Sequence, residues 1–460
     1  MSGIYGALSI GKTAMLTGQK ALEITGNNIA NVNTPGYSRQ IPVFSDIPSV
    51  NLGGFMVGRG VTINQIDREY DAFLNKQIQS KNASLGEEEA KSTPLAEIER
   101  VFDVSDSGLA AQIDNFFNAW QSLSADPSNQ VLRDNVLQSG QQLSQAFAEP
   151  VKSLTSLQSD LNVTLTSRVD EINTKLSEVA DLNKRISTIE TTGQSALSDR
   201  DKRDQLLSDL SYSLGTTAIE GDTGMVSLFL PNGVPLVQDQ EVMPLALQQS
   251  GGNLSLQVQA GSGQPTDITI DQVGGEIHGL LTMRDQVAPG LISDFDTLAY
   301  NLAQEVNSAH QSGTGLDGST GLNFFTPPAQ VDGAASSLTV ALSDFNQIAA
   351  GTSSAPGDNS NALTMTALKD KTIGGLSDTF GGFYSRVAGD FGNEVSRNTL
   401  AQQGNQDAMT QLNNLRDSTV GVSLDEEMVN LIKYQRSFEA SAKFLSTVND
   451  LMDSMLGLAR

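Results

Sequence analysis

The chain begins and ends with seven-residue repeats of apolar positions. Near the N-terminus Leu8, Met15, Leu22 and Ile29 recur every seven residues, with Ala7, Ala14 and Ala21 beside them and Gly11, Gly18 and Thr25 three positions on. This is an apolar, small-residue seam, and it predicts a packed amphipathic helix from about Ile4 to Ala30. Near the C-terminus Leu424, Leu431, Phe438, Leu445 and Met452 recur with the same period. Tyr434, Val448 and Met455 fill the second seam position, and Glu427 and Ser441 are polar gaps in it. Ser423 and Glu426 stand in the spacing of a capping box ahead of that helix. One seam is small and the other bulky, so the two ends are expected to pair. A pair of this kind is marginal alone and gains burial from neighbouring copies.

Between the ends the period changes several times. Pro35 and Gly36 end the first helix and fit the central positions of a type II turn. Ile41/Val43 and Val61/Ile63 suggest a hairpin-like connector. Helical patterning resumes near Asp67 and runs to about Ser211, with Pro127 and Pro150 as punctuation. Leu157, Leu161, Leu165, Val169, Ile172, Leu176, Val179 and Ile186 predict one long helix. From about Gly215 to Gly275 the spacing becomes two, in Val226/Leu228/Leu230, Leu254/Leu256/Val258 and Ile268/Ile270, with Pro231-Asn232-Gly233 and other glycine turns between. A helix near Ile292–His310, a weakly structured stretch to about Ser360 and a helix from about Leu376 to Arg416 follow. The expected fold is mainly α with an inserted small β domain. Its expected parts are 1–35 with 421–460 as paired terminal helices, 36–211 with 276–420 as an elongated helical domain, and 212–275 as the β insert.

Composition narrows the function. The 460 residues carry a formal charge of −25, which disfavours nucleic acid and anionic lipid as partners. There is no cysteine, so disulfides, thiol catalysis and zinc–thiolate sites are excluded. No run of apolar residues is long enough for a membrane span, and no basic region with an apolar core marks a cleaved signal peptide. Gly6 to Thr13 (GALSIGKT) fits the letters of a phosphate-binding loop. That loop needs a buried strand before it, and Met1–Tyr5 is too short and polar to be one. The seam also runs straight through it. His278 reads as lying beside a strand end and His310 as a cation closing a helix, neither with ligand spacing around it. Asp425-Glu426-Glu427 suits a helix N-terminus rather than a metal, and Asp199 to Asp204 reads as a solvated ion-pair face. No catalytic, cofactor or metal residue is expected. An adhesin or enzyme would need aromatic or acidic clusters in the β insert, where Phe229 is the one aromatic of residues 215–275.

Two stretches carry a family likeness. ALEITGNNIANVNTPGYSRQ (Ala21–Gln40) resembles the N-terminal signature of bacterial flagellar axial proteins, the rod, hook and junction family. Its Thr-Pro-Gly-Tyr-Ser-Arg ending is more similar to the hook-associated protein 1 family of junction proteins. GVSLDEEMVNLIKYQRSFEASAKFLSTVNDLMDSML (Gly421–Leu456) resembles the C-terminal signature of that family, with Phe438 where tyrosine is frequent. Gly60–Gln77, Gly108–Leu137 and Asp201–Ser211 agree internally, which separates the chain from a rod or hook subunit. The chain looks short for the family, as if a second outer β domain were lost. The resemblance implies a non-enzymatic structural protein, outside the cell, forming a layer between hook and filament. It implies self-assembly through helices whose packing residues here are Leu8, Met15, Leu22, Ile29, Leu424, Leu431, Phe438, Leu445 and Met452. It implies the hook protein and the next junction protein, hook-associated protein 3, as neighbours. It further implies export unfolded through the flagellar type III apparatus, with a cytoplasmic chaperone on Phe438, Phe444, Leu445 and Met452.

Overall fold

The computed structural model describes residues 2–52, 54–102, 108–250, 253–259 and 263–458. The chain divides into two compact units, one of Met1–Leu85, Asp170–Gly275 and Asn405–Arg460, the other of Gly86–Val169 and Glu276–Gly404. Both are mainly helical, and the small sheets described below lie in the first.

The first unit opens with helix α1 (Ser2–Ala30). Strands β1 (Gln40–Asp46) and β4 (Val61–Arg68) pair antiparallel, with a bulge at Val43/Phe44. Beyond them β2 (Val50–Leu52) and β3 (Phe55–Val57) form a short hairpin of their own. Helix α2 (Ala72–Glu99) starts after Asp71, whose carboxylate accepts the Leu74 N–H at 2.9 Å. That cap sets the start later than the patterning near Asp67 suggests, because β4 still needs Asp67 and Arg68 in its ladder.

Helices α3 (Leu109–Ala125) and α4 (Gln130–Thr191) follow. The long helix is 62 residues and passes through Pro150 without stopping. A proline there costs about 3 kcal/mol. The buried stripe Leu143, Phe147, Val151, Leu154 crosses the proline at helical spacing, and packing of that stripe offsets the cost. The eight apolar positions from Leu157 to Ile186 are all buried.

Helix α5 (Leu197–Leu214) ends on Gly215, which is left-handed at φ 68°. The β region then forms two sheets. One is β5 (Thr217–Glu220), β6 (Val226–Phe229), β7 (Pro235–Gln238) and β8 (Glu241–Val242), paired in that order. The other has β10 (Asn253–Val258) between β9 (Leu245–Ser250) and β11 (Thr266–Ile268). Two asparagines of α4 hold these sheets. Asn183 donates to the carbonyls of Val226 and Asp239 and accepts the Val226 N–H. Asn173 bonds both the N–H and the carbonyl of Leu245, at 2.9 and 2.8 Å.

The Asp199–Asp204 stretch is not a solvated face. Arg203 has no exposed surface, and Asp199 and Asp201 are buried. Arg203 donates to the Gly224 carbonyl at 2.6 Å and to Asn183 at 3.1 Å, while Arg200 grips Glu190 and Glu220. Charges at this spacing look solvated in sequence because the strands that bury them lie downstream.

In the second unit α6 (Gly275–Thr282) runs through a π turn, Met283–Val287, into α7 (Ala288–Gln311). Pro289 has no N–H to offer the Arg284 carbonyl, and the Gln158 side chain donates to that carbonyl instead at 2.9 Å. His278 lies in α6, not at a strand end, with Nδ1 3.1 Å from Glu87 Oε1. The bond from His278, joined by Lys91, holds the Glu87 carboxyl down at about 2. His310 is not a helix-end cation. Its Nδ1–H donates to the Leu322 carbonyl at 2.7 Å and its Nε2 accepts the Ala349 N–H at 3.0 Å. Burial pushes its pKa down to about 4, so the ring is neutral.

The irregular stretch after α7 is held by such side chains. Asn307 bonds both backbone groups of Phe325, Asn361 the Ala349 carbonyl, and buried Arg133 the carbonyls of Pro127 and Ile348. Phe324 and Phe325 pack at an angle against Phe116 of α3, and Phe324 also against Trp120. Helices α8 (Ala334–Ser337), α9 (Ser360–Ala367) and α10 (Phe380–Thr419) complete the order. The last element, α11 (Leu424–Leu458), belongs to the first unit.

Candidate functional site

The two chain ends meet. Helices α1 and α11 pack antiparallel, as three contacts along their length show. A Cβ on Gly11 would stand 2.8 Å from Leu445, a Cβ on Gly18 3.5 Å from Phe438, and Asn28 reaches Glu427. The small residues therefore do what an Ala/Gly seam can do, letting bulky side chains seat against backbone. GALSIGKT is helix throughout, so its N–H groups serve the helix ladder rather than a phosphate.

On α11 the inward positions are Glu427, Leu431, Tyr434, Phe438, Ser441, Leu445, Val448 and Met452, an unbroken three-and-four spacing. Leu431, Phe438, Leu445 and Met452 are half-buried, and Leu424 is exposed. Leu8, Met15, Leu22 and Ile29 are half-buried on α1. The deeply buried positions of α1 are instead Gly11, Thr17, Gly18, Ala21, Ile24, Thr25 and Asn28. Thr17 among them turns to β4, donating to the Val61 carbonyl at 3.0 Å. Gly60, at φ 103°, packs so close to α1 that any Cβ would collide with Thr13.

A polar fastening closes the base of the pair. Asn28, 1% exposed, uses all four of its hydrogen-bonding positions. It donates to the Gln40 carbonyl (2.9 Å) and Glu427 Oε2 (3.1 Å), and accepts from the Tyr37 hydroxyl (2.8 Å) and the Gln40 N–H (3.0 Å). Arg39 donates from Nε to Glu427 Oε1 at 2.8 Å and from its fork to Glu426 at 2.8 Å. Burial works against the Arg39 charge, but the bond to Glu427 and its neighbours outweigh it and raise the pKa. Burial, followed by the charges of Asp201 and Glu427, pushes the Tyr37 hydroxyl up to about 12, so it stays a donor. Ser38 N–H and Arg68 both bond Asp201, and Arg68 also bonds Asp204, tying the loop to α5.

Pro35 and Gly36 set the loop's direction. The Thr34 carbonyl accepts the Tyr37 N–H at 3.2 Å across them, and Gly36 has φ 77°. Glu427, a polar gap in the seam by sequence, is thus its buried anchor, and Glu426 reaches Arg39 rather than its own cap. A charged residue at a seam position, with an arginine just past the first helix, was the available signal. Phe44 of β1 adds an aromatic contact, 5.9 Å from Tyr434 between ring centroids.

The outside of the pair is not covered. Leu16 on α1 and Leu424, Met428, Val429, Ile432, Phe444, Leu451, Met455 and Leu456 on α11 are exposed. Among the described residues no group of three or more His, Cys, Asp or Glu is placed to hold a metal ion, and no helix is long and apolar enough to cross a membrane.

Comparison with known proteins agrees with this geometry. Residues 95–325 match the flagellar hook-associated protein FlgK helical domain. Residues 8–37 match the flagella basal body rod protein family, and residues 416–458 the C-terminal family of the flagellar basal body rod FlgEFG proteins. Flagellar hook-associated protein 1 of Bacillus subtilis (strain 168) is 29% identical over 507 residues, covering 99% of this chain and 98% of the relative. The Escherichia coli (strain K12) protein of the same name is 26% identical over 534 residues, covering 96% and 97%. The flagellar hook junction protein FlgK from Burkholderia pseudomallei shares the fold, with a TM-score of 0.67 at 15% identity, covering 75% of this chain and all of that one.

A paired set of chain ends, each with a rod-type signature, defines a structural protein of the flagellar axis. The helical domain between them matches that of the hook-associated protein FlgK. The chain belongs to the flagellar hook-associated protein 1 (FlgK) family. The alignments are longer than the chain's 460 residues, so these relatives carry internal segments that it lacks.

Proposed function

We propose that this chain forms the junction layer between hook and filament outside the cell, as a non-enzymatic structural protein assembled through its terminal helices. The observation that carries this reading is the fastened but uncovered pair of α1 and α11. Their seam is filled within the chain, while a run of apolar side chains on α11 stays in water. Exposed apolar runs of this kind mark protein contact. Copies packing head to tail would bury them and extend as a helical layer.

The residues 1–35 and 421–460 then act as the inner part, 36–211 with 276–420 as the helical body and 212–275 as the β insert. Leu8, Met15, Leu22, Ile29, Leu431, Phe438, Leu445 and Met452, half-buried in one copy, complete their burial against the next, as does exposed Leu424. The hook protein and hook-associated protein 3 are the neighbours this reading assigns. An export chaperone holding Phe438, Phe444, Leu445 and Met452 would compete with α1, because Phe438, Phe444 and Leu445 pack against Gly18 and Gly11 once the ends pair. Chaperone release therefore precedes pairing.

External addition tests the assembly role without involving export. Purified full-length chain, supplied to cells whose hooks lack it, should restore filament growth. Residues 34–460 supplied the same way should remain folded by circular dichroism and fail to restore it. Filament growth on the truncated chain would contradict the proposal.

A further inference from the structure

The hairpin β2–β3 has no place in the fastening just described. Phe55 is 76% exposed and Met56 67%, and Val50 and Val57 are exposed beside them. A two-stranded hairpin is marginal in water without a surface to lie on. Val50, Phe55, Met56 and Val57 here face solvent rather than their own unit. Its charge is unusual for so acidic a chain. Residues 47–66 contain no aspartate or glutamate, and their one charged residue is Arg59. Arg59 is exposed.

A matching surface lies at the start of α11. Leu424, Met428 and Ile432 are spaced by four, so they form one ridge, and each is about half exposed. Val429 widens it, and Asp425 stands exposed at its edge. Directly behind the ridge, Glu427 is pinned by Asn28 and Arg39, so this end of α11 is held in a fixed orientation. Ridge and hairpin are both apolar, and the charges beside them are opposite.

We infer that the β2–β3 hairpin of one copy docks on the Leu424–Met428–Ile432 ridge of a second copy, with Arg59 facing Asp425. The inference rests on the assembly reading above and adds to it a specific contact that fixes how adjacent copies are oriented. Phe55 and Met56 supply the buried anchors, and the ion pair at the rim selects the register. The absence of acidic residues in the hairpin lets two strongly negative copies approach at this point.

Because the chain has no cysteine, the contact can be read by disulfide trapping in full-length protein assembled on cells. A variant carrying Met56→Cys and Met428→Cys is oxidised after flagella have formed. A ladder of covalent multimers of this chain is expected from the double variant and not from either single one. Filament attachment before oxidation reports the assembly role separately. Filaments that attach while the double variant stays monomeric would overturn the docking inference and leave the assembly reading intact. Trapping through the hairpin cysteine to a chain of another mass would also overturn it. Charge reversal gives a second reading that does not depend on disulfide geometry. Arg59→Glu or Asp425→Arg alone should lower the yield of the ladder about fivefold, in proportion to one exposed ion pair. The two reversals together should restore it, and a double reversal no better than the singles would count against the pairing.

Discussion

Acidification should destabilise the second unit through one buried ring. His310 is 1% exposed, and each of its nitrogens already has a backbone partner. The Ala349 N–H points at Nε2, so a proton placed there would lose that bond and leave a charge in an apolar, aromatic surrounding. The folded pKa is accordingly pushed down from 6.5 to about 4. The unfolded chain takes up the proton near pH 6.5, and the folded chain only near 4. Stability is therefore complete above pH 6.5 and declines as pH falls through that window. A difference of this size amounts to about 2 kcal/mol lost by pH 5 and about 3 kcal/mol below pH 4. The assay is urea unfolding of the full chain at pH 7.5 and pH 5, followed through the signal of Trp120, which lies 6.3 Å from the His310 ring. His310→Gln should be less stable at pH 7.5, yet lose about 2 kcal/mol less than the parent between the two pH values. Equal losses in parent and variant would refute the reasoning, whatever the carboxylates contribute to both.

The pairing of the ends gives two further expectations. Gly11→Leu would drive side-chain carbon into Leu445 and Phe444, an overpacking cost of about 1–3 kcal/mol that exceeds the ~1 kcal/mol gained by removing a helical glycine. It should weaken filament retention under shear, whereas Gly3→Leu, with open space around it, should not. Asn28→Ala strips partners from Glu427, Tyr37 and the Gln40 backbone at once, and should loosen the fastening by about 3 kcal/mol. The readout is a lower temperature at which filaments leave the cell.

Apolar periodicity made most of the architecture legible. The stripe from Leu157 to Ile186 and the switch to a period of two near Val226 report which face is buried, and on α1 the small companions Gly11, Gly18, Ala21 and Thr25 mark it rather than Leu8, Met15, Leu22 and Ile29. Polar burial does not announce itself this way. Arg203 reads in sequence as part of a solvated face, and Asn28, Asn173 and Asn183 stand in no pattern, because their partners are backbone groups 12 to 72 residues away or, for Glu427, at the other end of the chain. The stretch after α7 read as weakly structured for the same reason. Its order comes from Asn307, His310, Asn361 and Arg133 rather than from a repeat of its own. Pro150 misled in the opposite direction, since a local breaker was overruled by a stripe that packs on both sides of it. The pairing of the ends could be inferred from complementary size, small against bulky. A charged residue at a seam position hinted at a fastening, but nothing in a single helix reveals that Glu427 faces Asn28.

Residue-resolved amide exchange, compared between the free full-length chain and the chain assembled on hooks, tests the coupling of order to assembly most directly. Weak protection of residues 2–30 and 424–458 in the free chain, as in a pair that opens readily, rising by orders of magnitude once assembled, is the expected result. Terminal helices as protected in the free chain as α4 would contradict it.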